Sequence, residues 1–226
     1  MRYLIVVAHP DDEVLGCGGT MYKLAAKGNV VDVCILSGKA AARTRRPSDD
    51  ELRADEDASM QALGVSAVYR ADFPNIQFNT VPHLSLVQFI EKTMLVAKPD
   101  VLITHHPADT NNDHVHTSLA TQAALRLFQR REDVSPVSSL YFMEVPSATD
   151  WSVNHAEHAF RPDTFFEIGK DGLAKKLAAL AMYRGVMRPF PHPRSDEVIT
   201  GLAAVRAGQS GYCYAEAFET AFRRGL

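Results

Sequence analysis

Residues 3–8, YLIVVA, form an apolar run without a charge, the mark of a strand buried on both faces. A helix is predicted from about Gly18 to Lys27, stopped by Gly28-Asn29, and VVDVCILS (30–37) reads as a second strand. Residues 48–63 open on Ser48, Asp49 and Asp50 as candidate caps and end at Leu63-Gly64, which predicts a helix. Another follows over 81–98, with Leu84, Val87, Ile90 and Met94 on one stripe. VLITHH (101–106) is a third strong strand, and a helix is expected from Asp113 or His114 to about Arg131. This alternation predicts an α/β fold: a mostly parallel sheet with helices on both faces.

Beyond residue 136 the pattern loosens. VSSLYFMEV (137–145) reads as a strand, 172–186 as an amphipathic helix, RPFPHPRS (188–195) as a proline-pinned loop, and roughly 196–207 as a last helix. Residues 212–222 fit a strand or a helix equally. No linker, repeat or low-complexity segment interrupts the chain. The expectation is therefore a single domain over 1–226, with a core of about 1–135 and a C-terminal lobe of about 136–226.

Composition narrows the function classes. The 226 residues are 46% hydrophobic and 23% charged, and 24 Lys+Arg against 27 Asp+Glu give a net charge of −3. No basic stripe with interleaved aromatics is present, so nucleic acid is not an expected partner. The cluster Arg43, Arg45 and Arg46 reads better as a loop, either solvated or meeting a small anion. Three cysteines, Cys17, Cys34 and Cys213, are an odd number without a close pair, which fits a reducing compartment. No apolar run reaches membrane-spanning length, and the run before His9 is too short for a signal core. The expectation is a cytoplasmic protein without an integral membrane segment.

Chemistry concentrates at two predicted strand ends, where open α/β sheets gather their ligands. AHPDDE (8–13) follows the first strand, and HHPADTNNDHVH (105–116) follows the later one. Clustered carboxylates and imidazoles repel or stay hydrated unless something positive sits among them. His9 and Asp12 from the first cluster and His114 from the second make a two-imidazole, one-carboxylate set, which suits zinc and leaves a position for water. Taken singly, each residue has an ordinary explanation: a surface histidine, or Asp113 as a helix cap. Their joint position at strand ends favours a metal site and metal-assisted hydrolysis. Asp11, beside Asp12 on a turn, is placed to act as general base. The CGGT glycines (17–20) read as letting the backbone pass close to this turn, and Trp151 and Phe73 as core aromatics before sugar platforms.

AHPDDEVLGCGGTM (8–21), RADEDASMQALG (53–64) and DTNNDHVH (109–116) resemble the LmbE-like, or PIG-L-like, zinc-dependent N-deacetylases. A looser likeness continues through EVPSATDW, PHPRS and YAEAF. The resemblance implies a Rossmann-like sheet with an irregular C-terminal lobe over the site, and removal of an acetyl group from an N-acetylated amino sugar. It implies one Zn2+ per chain on His9, Asp12 and His114, with Fe2+ or Co2+ able to take its place. Asp11 becomes the general base, Asp113 orients a neighbour, and Arg53 faces the substrate unless it pairs with Glu56 or Asp57 on its own helix.

One departure stands out. Several family members carry His-Pro-Asp-His at the second motif and use its first histidine as the acid. Here Asn111 stands in that place; it donates a hydrogen bond but shuttles no proton. His106 at the strand end, His192 on the proline loop and Asp11 in a double role are the candidate replacements, with His192 slightly preferred. His83, His105, His116, His155 and His158 are expected to be structural or exposed. The partner is a small N-acetylated sugar or sugar conjugate, and a homo-oligomer is compatible with the sequence. Two other readings stay open: a zinc amidase acting on a thiol conjugate or other N-acyl substrate, and a non-catalytic module that binds a nucleotide sugar.

Overall fold

The computed structural model describes residues 1–39, 47–152 and 159–225. The Arg43, Arg45 and Arg46 cluster, His155 and His158 lie outside the described residues. Strands β1 (Arg2–Val7), β2 (Val30–Ile35), β3 (Ala67–Arg70), β4 (Val101–His105), β5 (Ser139–Met143), β6 (Thr164–Glu167) and β7 (Ala215–Arg223) form one sheet in the order β3-β2-β1-β4-β5-β7-β6. The first five strands run parallel, β7 is antiparallel to β5, and β6 is antiparallel to β7. Among the described residues six α-helices accompany them: α1 (Asp12–Ala26), α2 (Asp49–Leu63), α3 (His83–Ala97), α4 (Asn112–Ala124), α5 (Gly169–Met182) and α6 (Asp196–Ser210).

Period-two alternation in β1 divides the core. Tyr3, Ile5 and Val7 face a cluster shared with Leu15 and Met21 of α1, Leu52 and Met60 of α2, and Leu180 of α5. Leu4, Val6 and Ala8 face a second cluster with Leu86 and Ile90 of α3 and Ala120 of α4. Both faces of the sheet are covered, which is why this strand reads as an unbroken apolar run. Helix α2 starts where its sequence signals place it. Ser48 Oγ accepts from Glu51 N–H at 3.2 Å while Glu51 Oε2 accepts from Ser48 N–H at 2.9 Å, and Gly64 closes the helix at φ 76°.

Helix α1 begins at Asp12, six residues before the expected start, and is broken at Cys17 (φ −148°, ψ 26°). The break strands backbone groups inside the protein, and a buried ion pair takes them up. Glu216 of β7 accepts from Gly19 N–H at 3.1 Å and Thr20 N–H at 2.7 Å. Lys176 of α5 donates to Leu15 O at 2.8 Å and to Glu216 at 2.6 Å. The glycines of this segment serve packing within the helix, not the turn before it. A Cβ on Gly16 would meet Met143 Sδ at 2.3 Å, and one on Gly19 would meet Ile168 at 2.9 Å.

The C-terminal part is more regular than expected, since it supplies β5, β6, β7, α5 and α6. The segment 212–222 resolves as a strand from Ala215 onward: Phe218 of β7 is buried, with its ring 5.1 Å from that of Phe166. The edge strands β3 and β6 are not legible in the sequence: β3 has four half-exposed residues and β6 three followed by the exposed Glu167, without clear alternation. Helix α4 gives way to a 3-10 turn over Leu125–Gln129, short of Arg131. Among the described residues no helix is long and apolar enough to cross a membrane.

Candidate active site

From β1 the chain steps to β2 and β3 on one side, then crosses to β4 on the other side of β1. The carboxyl ends of β1 and β4 therefore flank the switch point, where connections part and leave a crevice. The two polar clusters of the sequence meet there.

Asp12 stands at the centre. Its Oδ2 lies 3.3 Å from His9 Nδ1 and 3.2 Å from His114 Nε2, and it accepts from His9 N–H at 3.0 Å. These three side chains are buried and present one ligand atom each within 4.8 Å of one another. Further residues grip the two imidazoles from behind. His9 Nε2 is 3.0 Å from Asp113 Oδ2, and His114 Nδ1 is 3.1 Å from Asp109 Oδ2. Asp113 also accepts from Ile76 N–H at 2.6 Å and Phe78 N–H at 2.9 Å. Asp109 accepts from Asn111 N–H and from Thr149 Oγ1, both at 2.8 Å. Each carboxylate thus ties an imidazole to the backbone or to the loop after β5.

The electrostatics call for positive charge. Burial alone would lower the His114 pKa, but Asp12 and Asp109 bring it up to about 10. Burial likewise opposes ionisation of Asp12, yet His114 and His9 hold its carboxyl well below the usual carboxylate range. His105, stacked on His114 at 3.9 Å, is driven down to about 3 by burial and by His114. Its Nε2 accepts from Ala8 N–H at 2.9 Å, and its buried Nδ1 has no partner among the described residues. His105, Asp109 and His114 form a second close-spaced set, but His105 and Asp109 do not line the cavity. The donor set that opens to solvent is His9, Asp12 and His114, a nitrogen-rich mixed set of the type zinc takes.

That cavity is about 600 Å3, with Asp11, Asn111 and Arg194 among the residues on its wall. The three acidic residues after Pro10 go to different places. Asp11 lies at φ 94°, a left-handed conformation that a non-glycine residue adopts only under constraint, and it lines the cavity. Asp12 faces the imidazoles. Glu13 turns away, accepting from Tyr183 Oη at 2.6 Å and Asp11 N–H at 3.1 Å, and burial pushes its carboxyl well up. A single cation therefore does not explain all three.

The other residues that the sequence puts forward divide. Asn111 is on the wall, where its Oδ1 also caps α4 by accepting from Asp113 N–H at 2.9 Å. His106 is buried outside the cavity, 3.4 Å from Glu219 and edge-on to Phe142. Arg53 is exposed on α2 and His192 is exposed on its loop, and neither lines the cavity. The proline loop delivers Arg194 instead, with Nη1 3.4 Å from Asp11 Oδ2 and Nε donating to Ser147 Oγ at 2.9 Å. Trp151 is 59% exposed, not core, whereas Phe73 packs edge-on to Phe78 and Phe89. Asp109, Thr149 and Arg194 are not singled out by sequence reasoning, although all three lie in the quoted motifs.

Residues 4–125 match the PIG-L family, described as GlcNAc-PI de-N-acetylase. The chain belongs to the PIG-L family. Within it, this chain is 25% identical over 189 residues to the uncharacterized deacetylase YaiS of Escherichia coli K12, covering 80% of this chain and 89% of the relative. Two solved structures share the fold. GalB, the 4-carboxy-2-hydroxymuconate hydratase of Pseudomonas putida KT2440, superposes with a TM-score of 0.79 at 24% identity, over 100% of this chain and 98% of that one. The N,N'-diacetylchitobiose deacetylase of Pyrococcus horikoshii gives 0.79 at 19% identity, over 96% and 82%. A hydratase and a deacetylase on one frame mean that the residues of the site, not the frame, must carry the functional argument.

Proposed function

We propose that this PIG-L protein is a zinc-dependent hydrolase that removes the acetyl group from an N-acetylated amino sugar or its conjugate. The observation that carries the reading is the convergence of His9 Nδ1, Asp12 Oδ2 and His114 Nε2 at the floor of an open cavity, with Asp11 beside them. The family description and the chitobiose deacetylase support a sugar as the acyl carrier. A pathway in glycan, cell-surface polysaccharide or antibiotic-sugar synthesis would supply such substrates, and the same ligands would accept Fe2+ or Co2+.

His9, Asp12 and His114 would hold the ion, which when bound supplies Lewis acidity to the acetamide carbonyl and lowers the pKa of water toward roughly 7. Asp113 and Asp109 keep the two imidazoles turned toward it. Asp11 takes a proton from the attacking water as its oxygen bonds to the acetyl carbon. The C–N bond then breaks, and the amine nitrogen must gain a proton. Asn111 has none to give, and His192 and His106 stand away from the cavity wall. We therefore assign the second step to Asp11 as well: it returns the proton it took, leaving acetate and the free amino sugar. Its constrained backbone and its burial suit a group that must stay in place through both transfers.

The test combines metal content with acetate release. Purified protein should hold about one zinc per chain by elemental analysis and lose it in His114→Ala. Asp11→Asn should keep the metal and lose acetate release from N-acetyl sugars by roughly 10²–10⁴-fold. Protein that takes up no metal, or an Asp11→Asn variant with near-normal turnover, would overturn the reading.

A further inference from the structure

Arg194 has no role in the chemistry above, yet among the described residues it is the one guanidinium or ammonium group on the cavity wall. Its loop is built to hold it. Arg188 N–H donates to Arg194 O at 3.2 Å, Arg194 N–H to His192 Nδ1 at 3.0 Å, and Ser195 N–H to His192 O at 2.9 Å. Ser195 then caps α6, its Oγ accepting from Val198 N–H at 3.2 Å. The exposed His192 is thereby a strut for the arginine beside it.

The guanidinium itself is anchored at one edge only. Nε donates to the neutral hydroxyl of Ser147, and Nη1 reaches Asp11 at 3.4 Å, beyond the roughly 2.7–2.9 Å of a charge-assisted hydrogen bond. Among the described residues no other N–H of this fork has a partner. An arginine kept only to pair with Asp11 would close that distance. A planar fork with open donors beside a cavity is instead suited to receive a carboxylate or phosphate in bidentate fashion. Besides Asp11 and the His9, Asp12 and His114 set, the wall carries the amides of Asn75, Asn111 and Asn112, which suit sugar hydroxyls. At about 600 Å3 the cavity lies in the range that takes a ligand larger than an acetamido group alone.

Resting on the deacetylase reading, we infer that Arg194 binds an anionic group of the substrate, so that the substrate is an acetamido sugar bearing a carboxylate or a phosphate. The experiment compares three acetamido sugars on the zinc-loaded protein: N-acetylglucosamine, its 6-phosphate and N-acetylmuramic acid. Binding is measured by calorimetry and acetate release is followed in parallel. The protein should favour at least one anionic sugar over the neutral one by 10-fold or more, and which one identifies the anion as phosphate or carboxylate. Arg194→Ala should abolish that preference by weakening the anionic sugar about 10- to 100-fold, the scale of a hydrogen bond to a charged group. The neutral sugar should change little, metal content and melting temperature should stay as in the wild type, and Arg194→Lys should recover part of the loss.

Equal binding of neutral and anionic sugars, no binding of either anionic sugar, or a preference that survives Arg194→Ala would overturn the proposal. So would an equal fall in turnover of all three sugars, which would make Arg194 a positioning residue for Asp11. Arg194-dependent anion binding without acetate release from any sugar would uphold the anion site and refute the deacetylase reading, so the two failures are separable.

Discussion

At the scale of single residues, the candidate site depends on two carboxylates that lie outside the set His9, Asp12 and His114. Asp113 holds His9 at 3.0 Å and Asp109 holds His114 at 3.1 Å, so each imidazole presents its remaining nitrogen toward Asp12. Asp113 is legible because it precedes a histidine in a motif. Asp109 is not, because its role depends on Thr149, forty positions later, whose Oγ1 fastens it at 2.8 Å. Asp109→Asn is expected to weaken zinc binding roughly 10- to 100-fold, as loss of an orienting partner does. Thr149→Val should cost less. Competition against a chromogenic chelator would measure both, and an unchanged affinity in Asp109→Asn would show that His114 orients itself without help. His192 illustrates the opposite error. A stiff proline loop near a site does deliver a side chain, but which one depends on turn geometry, and here it is Arg194.

At the scale of elements, α1 shows how sequence signals mislead where tertiary contacts replace local ones. Its first turn carries the buried acids Asp12 and Glu13, its N-cap residue Asp11 makes no side-chain cap bond, and glycines occupy its middle. Those are poor helix signals. The helix survives because Glu216 and Lys176 take up the groups freed at the Cys17 break, and because the glycines admit Met143 and Ile168. Lys176→Met leaves Glu216 buried without its counter-charge, which should destabilise the protein by about 3–5 kcal/mol. In a chain of 226 residues that is a fall in melting temperature of roughly 6–20 °C. Lys176→Met combined with Glu216→Gln should recover part of it, since the amide oxygen still accepts from the backbone and no bare charge remains. Thermal melts of both variants decide the matter. Equal melting temperatures for the wild type and Lys176→Met would mean that the ion pair contributes nothing to stability. Helix α2, with its Ser48–Glu51 box and Gly64 stop, is the contrasting case in which local signals sufficed.

At the scale of the whole molecule, one sheet separates two apolar clusters, and a cysteine lies in each: Cys17 on the side of α1, Cys34 on the side of α3. Burial drives the Cys17 thiol well up and that of Cys34 to about 12, whereas Cys213 is exposed. A thiol reagent at pH 8 should modify one cysteine per chain in the native protein and three after denaturation in guanidinium. Two or more fast thiols in the native state would mean that one layer opens on its own. The local pattern of the chain determined most of what is periodic or adjacent: the strands β1, β2 and β4, buried on both faces, the capped helix α2, the parallel α/β class, and the pairing of His9 with Asp12. Those features follow from alternation, capping and short spacing, which act between neighbours in the chain. Only the tertiary structure decided the rest. It set the placement of β1 beside β4 that brings His114 to Asp12, the two four-residue edge strands, the supports of His114 and α1, and the arginine on the cavity wall. Each of these joins residues far apart in sequence, and such contacts are chosen by how the layers pack, not by any preference of the segments themselves.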